Sequence, residues 1–206
     1  MSAASAKLRS ATDEEILEKF GPYELVARFI KGEHHGILWR QDVGKPAIRL
    51  ISLTAASNQE AKALVEKQFY DMCLARRDAN ANQIPTEAEV VKAWMYIWPH
   101  LNVGQKKMIQ AQFHAPLRRL STLQLAEVAG YKTHGGVNLW YGKAGFMFFG
   151  EAAHPIDEKN KSGEPVFSFA LSTGADRNLS PTHESWVWEM RPHVARGLEM
   201  SGLLGT

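Results

Sequence analysis

The sequence predicts an α+β fold that is mostly helical. It divides into a small α+β N-terminal half, residues 1–82, and a winged helix-turn-helix-like C-terminal half, residues 83–206. Three observations predict this. Short apolar runs with strand-like spacing gather between residues 22 and 53. Helix-capping signals recur at Ser57–Glu60 and Ser121–Gln124, each a Ser three residues ahead of Glu or Gln. The second half then runs through three helical segments and two strand-like ones, the element order of a winged helix-turn-helix.

Residues 1 to 11 are small and polar and read as an arm. "TDEEILEKF" reads as a short helix, with Thr12 as cap, acids in the first turn and Gly21-Pro22 as its stop. In "YELVARFIKGEHHGILWRQDVGKPAIRLISL", Leu25, Ala27 and Phe29 fall on every second position. "GILW" and "AIRLISL" also look like strands. Two or three antiparallel strands are the favoured reading, with a helix over 22–31 as the alternative. Ser57 then caps a helix lined by Ala61, Leu64, Val65, Phe69, Met72 and Cys73. "DANANQIP" is a linker, and Thr86 caps the next helix, which Pro99 closes.

"NVGQKKMIQAQFHA" is a helix ended by Pro116, and "LRR" connects it to the helix that Ser121 opens and Gly130 ends in a left-handed conformation. Thr133 caps the following helix, which runs to about Gly150. A polar stretch leads to the strand "PVFSFAL". The loop "STGADRNLSPTH" leads to the strand "ESWVWEMR", and a last helix carries Pro192 in its first turn.

Within this half, Leu123, Leu125, Ala126 and Ala129 give the first motif helix an apolar face. Val137, Tyr141, Ala144 and Phe148 give the second helix one, at i, i+4, i+7 and i+11. The opposite side begins with His134, Asn138 and Gly142. Such a face suits a major groove, where Asn138 can contact adenine through two hydrogen bonds. Lys132, Thr133 and the helix N-terminus can hold a phosphate. Gly135 and Gly136 stand at the start of this helix, although glycine is the poorest helix former after proline. Lacking Cβ, they let backbone amides approach a phosphate or a base edge; a loose turn demanded by the preceding helix explains them equally well. Trp186, Trp188 and Met190 share one face of the last strand. Core packing is their expected role, and stacking on an unpaired base the alternative. The loop before that strand carries Arg177, Asn178 and His183.

Charge points the same way. The chain's net charge is only +2, yet residues 101–150 hold Lys106, Lys107, Arg118, Arg119, Lys132 and Lys143 against one acid, Glu127. A basic segment in a near-neutral protein suggests an anionic partner, nucleic acid being the commonest. A solvated basic face is the alternative. Those six cations are the expected phosphate contacts, with His134, Asn138 and Trp140 supplying specificity.

Chemistry of catalysis is not legible. No P-loop, GxSxG, HExxH or CxxC occurs. Adjacent His34 and His35, next to Glu33, would point to opposite strand faces and read as a turn rather than a metal site. His154 and Asp157 lack a third ligand, Cys73 reads as a buried inert thiol, and His100 and His114 flank helix ends. The expectation is a non-enzymatic protein with no cofactor and no metal. One cysteine fits a reducing compartment, and neither a signal peptide nor a membrane-long apolar run is present, so the expected location is cytoplasmic, without membrane contact.

"GQKKMIQAQFHAPLRRLSTLQLAEVAGYKTHGGVNLWYGKAG", with the distant "WVWEMRPHVARGLEMSGL", resembles a module upstream of HNH nuclease domains in some bacterial restriction-type endonucleases. It covers residues 104–203. The resemblance implies a reader of duplex DNA linked to restriction or phage defence. The His-rich metal-binding unit of those nucleases does not follow here, so no cutting chemistry is implied. A second reading rests on "WYGKAGFMFF", where Trp140, Phe146, Met147 and Phe149 make the helix apolar most of the way round. That reading is a phage or mobile-element protein that inhibits a host defence complex by protein–protein binding, or self-association. Burial within the fold is the simpler account of the same residues.

Overall fold

The computed structural model describes residues 14–78, 84–161, 163–175 and 186–205. Among them the architecture is mixed α+β, with six α-helices and two antiparallel sheets. Internal contacts divide the chain into two units, Met1–Phe69 and Tyr70–Thr206. The boundary falls inside a helix, ahead of the 78–85 linker that composition marks.

The first unit is a four-stranded meander of β1 (Ile16–Phe20), β2 (Tyr23–Ile30), β3 (Glu33–Arg40) and β4 (Ile48–Ala55), paired in chain order. Here the expected helix over 12–20 is overturned. Residues 16–20 form β1, and Thr12 lies outside the described residues. Gly21-Pro22 does not stop a helix but turns a hairpin, Gly21 taking φ 59° and Phe20 pairing with Tyr23. The strand can then bury Phe20 while Leu17 and Lys19 stay outside, the period of two that a sheet face needs. The strands read between residues 22 and 53 are all present. Lys31 and Gly32, both at positive φ, make the tight turn between β2 and β3.

Helix α1 (Asn58–Asp78) opens as expected, Ser57 Oγ accepting the Glu60 amide at 3.1 Å. Ala61, Val65 and Phe69 are its buried stripe in this unit, while Leu64 is 38% exposed and off it. A Cβ at Gly36 of β3 would lie 2.7 Å from the Ala61 carbonyl oxygen, so only glycine lets the helix lie this close to the sheet.

In the second unit α2 (Glu87–Ile97), α3 (Val103–His114) and α4 (Thr122–Ala129) each carry a capping box, at Thr86/Glu89, Asn102/Gln105 and Ser121/Gln124. Gly130 ends α4 at φ 75°, as its position predicts. Arg119–Ser121 forms a short strand, β5, which the sequence reading treated as a connection. Helix α5 (His134–Ala152) follows, then a single 3₁₀ turn at Phe167–Ala170, β6 (Ser172–Gly174), β7 (Val187–Met190) and α6 (Pro192–Met200). The small sheet has the order β5-β7-β6. The strand expected in "PVFSFAL" is therefore displaced into "STG". At Gly145 a Cβ would overlap the Phe167 carbonyl, so α5 presses on this segment. Phe167, Ser168, Ala170 and Leu171 are all buried there, a run without strand alternation.

Helix α5 is exposed at its start and enclosed at its end. His134, Gly135, Asn138 and Leu139 face outward, whereas every residue from Ala144 to Gly150 is buried. Trp94 tilts against Phe148 at 5.1 Å, Phe146 meets Phe167 at 4.7 Å, and Tyr70 stacks on Phe149 at 4.9 Å. "WYGKAGFMFF" is thus core beyond its first turn. The last carbonyls of α5 are taken by two arginines of α1: Arg76 donates to Gly150 O at 2.7 Å, and Arg77 to Ala152 O at 2.7 Å. Positive charge at a helix C-terminus also favours the macrodipole. No helix among the described residues is long and apolar enough to cross a membrane.

Deep in this unit Tyr141 Oη donates to Gln112 Oε1 at 2.5 Å and lies 2.6 Å from Ser172 Oγ. Gln112 Nε2 donates to the Trp188 carbonyl at 3.1 Å. Burial pushes the Tyr141 phenol far above its usual range, so it stays a neutral donor. Tyr141→Phe would leave Gln112 and Ser172 buried with one partner fewer. The expected cost is about 1–3 kcal/mol, read as a lower urea midpoint with an unchanged m-value.

Candidate functional site

The exposed start of α5 borders a cavity of about 480 Å³ lined by Thr122, Leu123, His134, Asn138, Val166, Ser168, Phe169, Trp186 and Trp188. Four segments meet there, and each is anchored. Thr122 donates through both its amide and its hydroxyl to the Trp186 carbonyl, at 2.8 and 2.9 Å. A Cβ on Gly174 of β6 would overlap the Trp186 ring, which fixes that indole over the β6 backbone. Arg191 Nε donates to the Phe169 carbonyl at 2.7 Å and holds the 3₁₀ turn. Phe169 meets Trp188 edge-on at 5.1 Å, and Trp186 lies 6.0 Å from Trp188. The lining is therefore aromatic on the sheet side and polar on the helix side.

The cap residue of α5 makes no side-chain hydrogen bond to the helix N-terminus. Thr133 sits at the cap position, but its hydroxyl does not cap, which corrects the sequence reading. No acid occupies the first turn. Lys132, Thr133, His134 and Gly135 are exposed around this end. The glycine pair separates into two cases. Gly136 lies against Tyr131, whose Cβ would be 3.3 Å from an added Cβ, and Gly104 of α3 packs against the same ring. Gly135 has an ordinary φ and meets only Thr133 Oγ1, at 3.6 Å.

The remaining predicted residues are dispersed. Arg119 is committed to an ion pair with Glu189 across the β5–β7 ladder, at 2.7 Å. Arg118 lies over the Phe113 ring at 5.1 Å, Lys106 over Trp98 at 5.6 Å, and Lys143 over Trp140 at 4.9 Å. Lys107 is exposed on α3. Arg177 lies outside the described residues, as do Asn178 and His183. The sequence reading missed Thr122, Leu123, Val166, Ser168 and Phe169. Their only signal was Thr122 following a capping Ser; the rest come together through the fold.

Histidines elsewhere form no such surface. His34 Nδ1 is 2.9 Å from Asn58 Oδ1, and His35 is 3.7 Å from Glu33. Among the described residues no group of three or more His, Cys, Asp or Glu is arranged to hold a metal. Cys73 is fully buried. His154 and His193 tilt against each other at 4.6 Å, and neither ring nitrogen of His154 has a hydrogen-bond partner. Burial holds His154 down to about 3 and His193 to about 4, with Arg191 adding to both and Arg77 to His154. The unfolded chain therefore binds protons that the native state refuses, so stability rises with pH between the folded values and the ordinary value near 6.5. The urea midpoint is expected to fall steadily from about pH 7 to about pH 4, and His193→Gln to flatten that slope.

No protein family, curated protein or solved structure matches this chain, so its function has to be argued from the geometry just described.

Proposed function

We propose that the second unit is a winged helix-turn-helix that binds duplex DNA, with α5 as the helix that enters the major groove. The observation that carries this reading is topological. Helix α3, strand β5, helices α4 and α5, and the β6–β7 pair follow one another, with β5 closing the sheet as β5-β7-β6. Three further features support it. The first turns of α5 are its exposed part, its N-terminal amides lack a side-chain cap, and Lys132 stands just ahead of them. In this reading His134 and Asn138 meet base edges, while Lys132 and Lys107 meet phosphates. Arg119 is left out of the phosphate set because Glu189 already neutralises it.

On this view the protein reads DNA in the setting of restriction or phage defence suggested by its resemblance to the modules upstream of HNH nucleases. The protein-partner alternative has less to rest on, since Phe146, Met147 and Phe149 are buried and Trp140 is half-buried.

Fluorescence-anisotropy titration of duplex DNA at two salt concentrations tests the reading. Affinity should fall steeply with salt. Lys132→Ala should lower the log–log salt slope by about 1, and Lys132→Ala/Asn138→Ala should abolish binding at the higher salt. A dissociation constant weaker than about 10⁻⁴ M at low salt, below ordinary non-specific binding, would sink it.

A further inference from the structure

We propose that the cavity between the start of α5 and β7 receives one nucleobase drawn out of duplex DNA; the inference rests on the DNA-binding reading above. Its volume of about 480 Å³ is large for a methyl group and ample for one planar heterocycle. Phe169, Trp186 and Trp188 give it π-surfaces, with ring centroids 5.1 to 6.4 Å apart. Stacking on such surfaces is how proteins hold an unstacked base whatever its identity.

The polar groups fit the same ligand. Asn138 brings an amide donor and acceptor side by side, as the Watson–Crick edge of a base requires, and Ser168 adds a hydroxyl. Among the described residues no carboxylate lines the cavity. An aromatic, hydrogen-bonding ligand fits this lining, and it would sit beside the helix end proposed to meet DNA.

The decisive comparison uses one sequence in four forms: matched duplex, duplex with a single bulged adenine, the same duplex with that nucleotide abasic, and the single strand. A base that is already unpaired spares the protein the cost of extrusion. Wild type should therefore bind the bulged duplex roughly tenfold or more tighter than the matched one, the unpairing cost that is spared. The abasic duplex, equally deformable but with nothing to insert, should lose that gain. Leu123→Trp, at a lining position 48% exposed, should bring the bulged-to-matched ratio towards one.

An equal gain for the abasic duplex, or no gain for the bulge while matched duplex still binds, overturns this proposal and leaves the DNA-binding reading standing. A single strand bound as tightly as the bulged duplex overturns extrusion in favour of single-stranded ligands. Failure to bind any of the four removes both readings together.

Discussion

The Tyr141 hydroxyl is the point on which the second unit turns. It is fully buried and must be satisfied inside the protein, and its partners come from α3 and β6. Gln112 extends the same set to the β7 backbone. A helix of the motif, the helix before it and two strands of the sheet are thus tied by one small polar network in an apolar surround. Such networks specify geometry more than they add stability, because any displacement strands a buried donor or acceptor. What it specifies here is the distance between α5 and the sheet, and therefore the width of the cavity between them.

The same helix shows a division of labour along its length. From Ala144 onward it is core, clasped by aromatic contacts and closed by Arg76 and Arg77 on its last carbonyls. Gly145 lets the 3₁₀ turn come up against it, which delivers Ser168 and Phe169 to the cavity. The first turns, by contrast, are presented outward from a rigid base. A surface built this way keeps its shape without a partner, as recognition elements on rigid scaffolds do.

Local signals made most of the helical fold legible. The N-cap at Thr86, the capping box at Ser121, the left-handed Gly130 and the i, i+4, i+7, i+11 stripe of α5 are short-range features, and each sits where it was read. Failures came where a long-range partner decides the outcome. "TDEEILEKF" has fair helix signals, but β2 pairs with its second half across a two-residue turn, and pairing overrides propensity. β5 is three residues long and exists only because β7 lies beside it. The cavity was half visible: His134 and Asn138 were flagged by helix position, whereas Trp186 and Trp188 read as core. Their place in the cavity wall follows from Phe169 and Thr122, which no spacing rule connects to them. The ion pair of Arg119 was illegible for the same reason, its partner Glu189 being seventy positions away.

The glycine pair at the start of α5 separates structural demand from what packing leaves over. Tyr131 fills the turn between α4 and α5 and presses on Gly104 and on Gly136, so both positions are small for internal reasons. Gly135 has no such reason. It is exposed, its φ is ordinary, and only its neighbour's hydroxyl lies near. In a helix a glycine there costs about 1 kcal/mol against alanine, and nothing inside the fold recovers it. Next to uncapped amides and Lys132, a missing side chain gives a phosphate or base edge direct access to the backbone. On the proposed reading, that access is what the residue supplies.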